Sequence, residues 1–397
     1  MSFSYPSVSP KQAASKPYNN HNWSEASSEA ETVFLRECEG VKSERLSRKS
    51  NIRKISRALV CEELTVFPGR TYDLIEADRG MPMADIRALD IKRFSNLDAA
   101  PHAFDTESDV LGWIAALSTE SPVAGALFKF AASAGWRVKL ADLSTGGFHL
   151  DIPERTLNLD HAGMDASALG RSVFFRCTIV QSFIRGLRDI WQEEKLGGIE
   201  TIYRPDSFLM MERVRAADVD SVAVLAAYEL RAAGYADLWR HILGGDDGDL
   251  AVTFGCALEK NPASLYNGAA LARAFNQWFE DELRVDAIDH EALEHLDDLL
   301  ENGSPADVLG KETASAAQAE GLSMLPDGAQ YLSGMGDNIL RDPLYAGLHD
   351  EINQAHLFHI VYDTQVVMVG GVPFGDAKLA RKIFPGVTPE RVSLKKL

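Results

Sequence analysis

The sequence predicts an α+β fold, a small sheet or hairpin packed against long helices with a mainly helical C-terminal region. Two patterns carry this. Residues 135–141 and 149–160 alternate apolar and polar side chains, as half-buried strands do, with Pro153-Glu154-Arg155 as the turn of a hairpin. Val173, Cys177, Val180, Ile184, Leu187 and Trp191 then recur at steps of four and three, which puts one apolar stripe on a long helix.

Taken in order, residues 1–57 form an arm that opens rich in Ser, Asn, Pro and Lys, too polar to bury a core. Its second part is basic: Lys42, Arg45, Arg48, Lys49, Arg53, Lys54 and Arg57 are opposed only by Glu44. Such a stretch suits either a solvated lead-in or the docking of an acidic partner or lipid surface. Residues 58–302 are expected to form the main domain. It opens with short strands and loops up to about residue 105, followed by two helices over 109–134 split at Ser121-Pro122. Asp165 or Ser167 can cap the long helix after the hairpin, and Leu196-Gly197-Gly198 ends it. A second, Ala-rich helix is expected over 211–233 with Gly234 as its stop, then shorter helices and an acidic helix over 289–301. Residues 303–335 read as a linker or mobile loop. Residues 336–397 read as a small C-terminal segment with one apolar strand at 365–369.

Composition narrows the function. Against 58 Asp and Glu stand 40 Lys and Arg, a formal net charge of -18 that repels phosphate backbones, so no nucleic-acid partner is expected. No apolar run is long enough for a membrane span, and nothing at the start resembles a secretory signal. Cys38, Cys61, Cys177 and Cys256 are scattered, which fits reduced thiols in the cytoplasm better than a zinc ribbon or disulfide framework.

Other clusters carry little chemistry. His290 and His295 are five apart, about 140° around a helix, and cannot share an ion. His349, His356 and His359 read as surface or packed residues. The run 244–249, Gly-Gly-Asp-Asp-Gly-Asp, lacks the ligand spacing of a calcium loop and reads as a turn.

The layout of hairpin, helix and second Ala-rich helix is that of a zincin-like metallopeptidase core, in which H-E-x-x-H places two imidazoles about 40° apart on one helix. Residues 147–234 resemble a bacterial, chiefly alphaproteobacterial, metallopeptidase domain family of unknown function. Its relatives read H-E-x-R-H-x-W-Q on the first helix and R-x-x-E-A-D-A, then E-L and Gly, on the second. Leu187, Arg188, Ile190, Trp191 and Gln192 keep the first frame; Arg213, Ala217, Asp218, Glu229, Leu230 and Gly234 keep the second. The resemblance places Arg185 and Asp189 at the two His positions, Gly186 at that of the general base and Ala216 at that of the third ligand. A protonated guanidinium repels zinc, Gly and Ala offer no lone pair, and one carboxylate cannot hold a catalytic ion.

These substitutions imply a metallopeptidase-like protein without zinc or other cofactor, a pseudoenzyme binding a peptide or protein in the former substrate cleft. Two alternatives differ in class. One is an active metal-dependent hydrolase, with His149, His161 or the C-terminal histidines converging near Asp189 and Asp218. The other is a structural protein acting through its basic arm. Arg185 and Asp189, four apart, are expected to pair with each other.

Overall fold

In the computed structural model, residues 83–94, 97, 104–143, 147–302, 309–365, 367–369, 372–374, 381–383 and 390–391 are described. The basic arm lies outside them. A short strand β1 (Ala84–Asp85) precedes two helices, α1 (Glu107–Ser118) and α2 (Pro122–Ser133). Thr106 and Asp109 form a reciprocal capping box on α1, and Ser121 caps α2 with Pro122 in its first turn. The strands β2 (Arg137–Ala141), β3 (Phe148–Asp151) and β4 (Thr156–Asp160) come next.

The sheet order is β1-β2-β4-β3. The expected hairpin is present: β3 and β4 pair antiparallel, with Leu150 opposite Leu157. Strand β2 pairs parallel with β4, so among the described residues β3 lies at the edge of the sheet. The turn holds Arg155 at φ 49, an uncommon backbone conformation for a side-chain-bearing residue.

The helix predicted after the hairpin is two helices, α3 (Ala166–Arg171) and α4 (Val173–Leu196), with Asp165 capping the first and Ser172 the second. The β-region backbone of Ser172 breaks the run, and its side chain caps α4. A short α5 (Ile199–Ile202) leads to α6 (Pro205–Ala232), which starts six residues earlier than its apolar pattern suggested because Pro205 opens its first turn. Gly234, at φ 105, ends it.

Helices α7 (Asp237–Leu243), α8 (Gly248–Lys260), α9 (Ala269–Trp278) and α10 (Glu282–Asn302) complete the helical layer around α6. Residues 309–335, expected as a linker, carry α11 (Ala316–Leu322) and bury Leu322, Tyr331 and Leu332. This segment is packed because its apolar residues, though sparse, sit against α6. Beyond it come α12 (Gly336–Arg341), α13 (Pro343–Ala346), α14 (Glu351–Gln365) and strands β5 (Val367–Val369), β6 (Val372–Phe374) and β7 (Glu390–Arg391) in the order β6-β5-β7. Among the described residues no helix is long and apolar enough to cross a membrane.

Cys177 is a free, buried thiol whose pKa is raised, above all by burial.

Candidate functional site

The facing surfaces of α4 and α6 hold three adjacent layers of buried charge. The helices pack on one another, and charged residues at turn spacing on α4 meet charged residues on α6. Every position compared with a metal-binding residue lies on these two helices.

Arg185 forms the first layer. Its Nε lies 2.9 Å from Oδ1 of Asp220, and its Nη2 donates to Oδ2 of Asp247. Asp247 also accepts from Gln181 Nε2 at 2.8 Å, and Asp220 from Trp278 Nε1 at 2.8 Å. Arg284, on the acidic helix α10, enters the same cluster and reaches Asp249 at 3.1 Å. Burial pushes Asp220 up to about 6, against the opposing pull of Arg185. His241 nearby is driven down to about 4 by burial and then by Arg185, so it is neutral at pH 7. Of the run 244–249, residues 244–247 form the turn between α7 and α8 and residues 248–249 open α8; Asp247 and Asp249 answer two buried arginines.

Arg188 forms the second layer. Its Nε and Nη2 grip both oxygens of Asp218 at 2.6 and 3.0 Å, and both side chains are fully buried. Asp218 accepts further bonds from Gln192 Nε2 at 2.6 Å and from the Tyr331 hydroxyl at 2.7 Å. Two further guanidinium hydrogens go to the carbonyls of Leu322 and Met324, both at 2.9 Å. Residues 322–331 are thereby tied across α4 and α6.

Asp189 belongs to the third layer. It accepts from Arg215 at 3.0 Å, and Arg215 also reaches Glu193 at 3.3 Å and Glu212 at 3.6 Å. The expected Arg185–Asp189 pair is therefore replaced by pairs between elements: Arg185 turns to Asp220 and Asp247, Asp189 to Arg215. Isolated helices favour the local pair, but here the second helix offers counter-charges that need no side chain to bend along its own helix.

Gly186 faces the sheet. A Cβ built there would stand 2.5 Å from Leu157 Cδ1 on β4, so the position is filled by a neighbour and leaves no room for a longer side chain unless Leu157 moves. Ala216 is half-buried against the core, next to Arg215 and one helical turn before Asp220. No protein group among these four positions can complete a zinc shell: one is a cation, two lack lone pairs, and the one carboxylate is engaged by Arg215. Among the described residues, no group of three or more His, Cys, Asp or Glu is arranged to hold a metal ion.

The histidines proposed for a shifted site are dispersed. His149 is on β3 and His161 follows β4, where its Nδ1 meets the Met164 carbonyl at 3.1 Å. His349 lies 3.0 Å from the Pro343 carbonyl, and His356 lies 2.5 Å from Asp297 on α10. His359 is exposed on α14. His290 is exposed and pairs with Glu294 at 3.3 Å, whereas the His295 ring faces Phe208, so the two point to different surroundings.

The frame residues have structural work. Arg213 binds Asp289 at 2.5 Å and donates to the Tyr345 and Gly347 carbonyls at 2.9 and 2.8 Å, which fixes α10 and the segment around α13 on α6. Glu229 accepts from Ser121 Oγ at 2.5 Å and Val123 N at 3.0 Å, holding the start of α2. Trp191 packs edge-on against Phe130, 4.5 Å between centroids. Sequence reasoning missed Asp220, Asp247, Arg284, Arg215 and Tyr331. The available signal was Arg215, which interrupts an otherwise core-facing helical stretch, and a buried Arg requires a partner.

Compared with known proteins, residues 180–333 match the model of a family described as "Putative metallopeptidase family (DUF6782)", over less than half of the chain. The match begins inside α4, spans α6 to α10 and ends just past Tyr331, so it covers all three charge layers. No curated protein and no solved structure matches.

Proposed function

We propose that this chain is a metallopeptidase-like protein that has lost zinc and catalysis and serves as a binding or regulatory module. The observation that carries the reading is the engagement of Arg185. A permanent positive charge stands at the first ligand position, held by Asp220 and Asp247, so the place a metal would take is filled by the protein's own cation. Support comes from the other positions. Gly186 brings no general base, Ala216 no ligand, and Asp189 is committed to Arg215.

A zincin-like core agrees with what surrounds the site: an antiparallel edge strand, a long helix beneath the sheet and a second helix across it. In that frame the edge strand β3 is the surface for a bound peptide, by main-chain addition. Main-chain pairing along that strand would supply affinity without any hydrolytic group at the four compared positions.

The test is incubation of the full chain with a degenerate peptide library, with and without added zinc. Peptides retained intact, at equal levels in both arms, are the expected result. Cleavage that a chelator abolishes would overturn the proposal, and so would the absence of any retained peptide.

A further inference from the structure

Helix α14 presents an apolar face away from the core. Its inward side is well anchored: Asn353 donates to the Asp286 carbonyl at 2.9 Å, Ile360 is 1% exposed and His356 meets Asp297. The opposite side carries Ile352 at 74%, Phe358 at 67% and Tyr362 at 45% exposure, together with Ala355 and His359. These positions recur at three, three or four, and three or four residues, which is one continuous helical stripe. Phe358 and Tyr362 stack on each other with centroids 6.4 Å apart and planes at 21°. Scattered exposed apolar residues need no explanation, but a continuous stripe ending in two stacked rings is a recognition surface.

The stripe has acidic margins. Asp297, which holds His356, lies on one side with Glu294 and Asp298 next to it on α10, and Glu351 stands on α14 itself. A second copy of an acidic chain would bring like charge to these margins. The complementary surface is a segment both basic and apolar, and the chain contains one. Residues 42–57 carry seven Lys and Arg against Glu44, and Ile52, Ile55 and Leu59 recur at steps of three and four. More than twenty residues separate this segment from Met83, the first described residue. A chain of that length extends to roughly 70 Å or more and can reach any face of a domain this size.

We infer that residues 42–59 dock in cis on the outer face of α14, with the isoleucines against Phe358 and Tyr362 and the basic side chains over Glu294, Asp297 and Asp298. The docked segment would screen the acidic ridge and cover the exposed rings. This interaction is independent of the α4–α6 charge layers and stands or falls separately from the loss of zinc.

Zero-length carbodiimide coupling of the full chain tests it, using an equal mixture of isotope-labelled and unlabelled protein at low concentration. The expected products are same-label cross-links from Lys42, Lys49 or Lys54 to Glu294, Asp297 or Asp298. Phe358→Ser with Tyr362→Ser should abolish them, since it removes the apolar contact and leaves every charge in place. Both positions are exposed, and an unchanged melting temperature would confirm that the variant is folded. Absence of these cross-links in the parent chain, mixed-label cross-links only, or cross-links unaffected by the double substitution would each overturn the inference.

Discussion

Arg188 donates four hydrogen bonds from a fully buried position, two to Asp218 and one each to the carbonyls of Leu322 and Met324. Removing it strands Asp218 as a buried charge, with Gln192 and Tyr331 left among the described residues to solvate it. Arg188→Met is expected to cost about 3–5 kcal/mol, read by denaturant unfolding. Arg188→Met combined with Asp218→Leu should recover much of that loss, because the uncompensated carboxylate is gone. If the double variant were as unstable as the single one, the pair would not be acting as a charge pair. The resemblance singled out Gly186 in the sequence, but its packing against Leu157 was not legible, since pairing of β4 with β2 and its placement over α4 are tertiary facts. The same holds for Arg185, whose partners Asp220 and Asp247 are far from it in sequence.

At the scale of elements, the interface between α6 and α10 carries a second kind of charge. Glu291 is raised from 4.5 to about 8, by burial first and then by its neighbours Glu212 and Glu294. The folded state therefore binds this proton more tightly than the unfolded chain does. That contribution to stability is complete below about pH 4.5 and is lost as pH rises towards 8. Arg215 faces Glu212 and His290 faces Glu294, while both of those carboxylates repel a charge on Glu291. Glu291→Gln should raise the melting temperature at pH 8.5 and leave it nearly unchanged at pH 5. An equal effect at both pH values would show that packing, not ionisation, accounts for the change. The helices and hairpin themselves were legible, because period and caps are local: Ser121, Asp165, Gly197 and Gly234 all mark boundaries. The split at Ser172 and the packing of residues 309–335 were not. In the first, a capping residue sits within an unbroken apolar stripe; in the second, a few apolar residues in a polar stretch find their partners only on α6.

Across the whole molecule, the frame residues recognised in the sequence hold elements together: Arg188 ties down residues 322–331, Arg213 fixes α10 and the α13 segment, and Glu229 holds the start of α2. In the proposed reading such a frame persists without zinc chemistry, so the family match over residues 180–333 is compatible with Arg185, Gly186, Asp189 and Ala216 at the compared positions. In the proposed readings, strand β3 and the outer face of α14 are two separate surfaces for recognition, and neither depends on a metal. In the proposed reading, protein charges close the α4–α6 interface where a peptidase would bind zinc. The decisive measurement is the metal content of the purified full chain, taken together with its melting temperature before and after chelation. Far less than one zinc per chain is expected, with no change in melting temperature on chelation. One zinc per chain, removed by chelator with a fall in melting temperature, would contradict the loss of zinc.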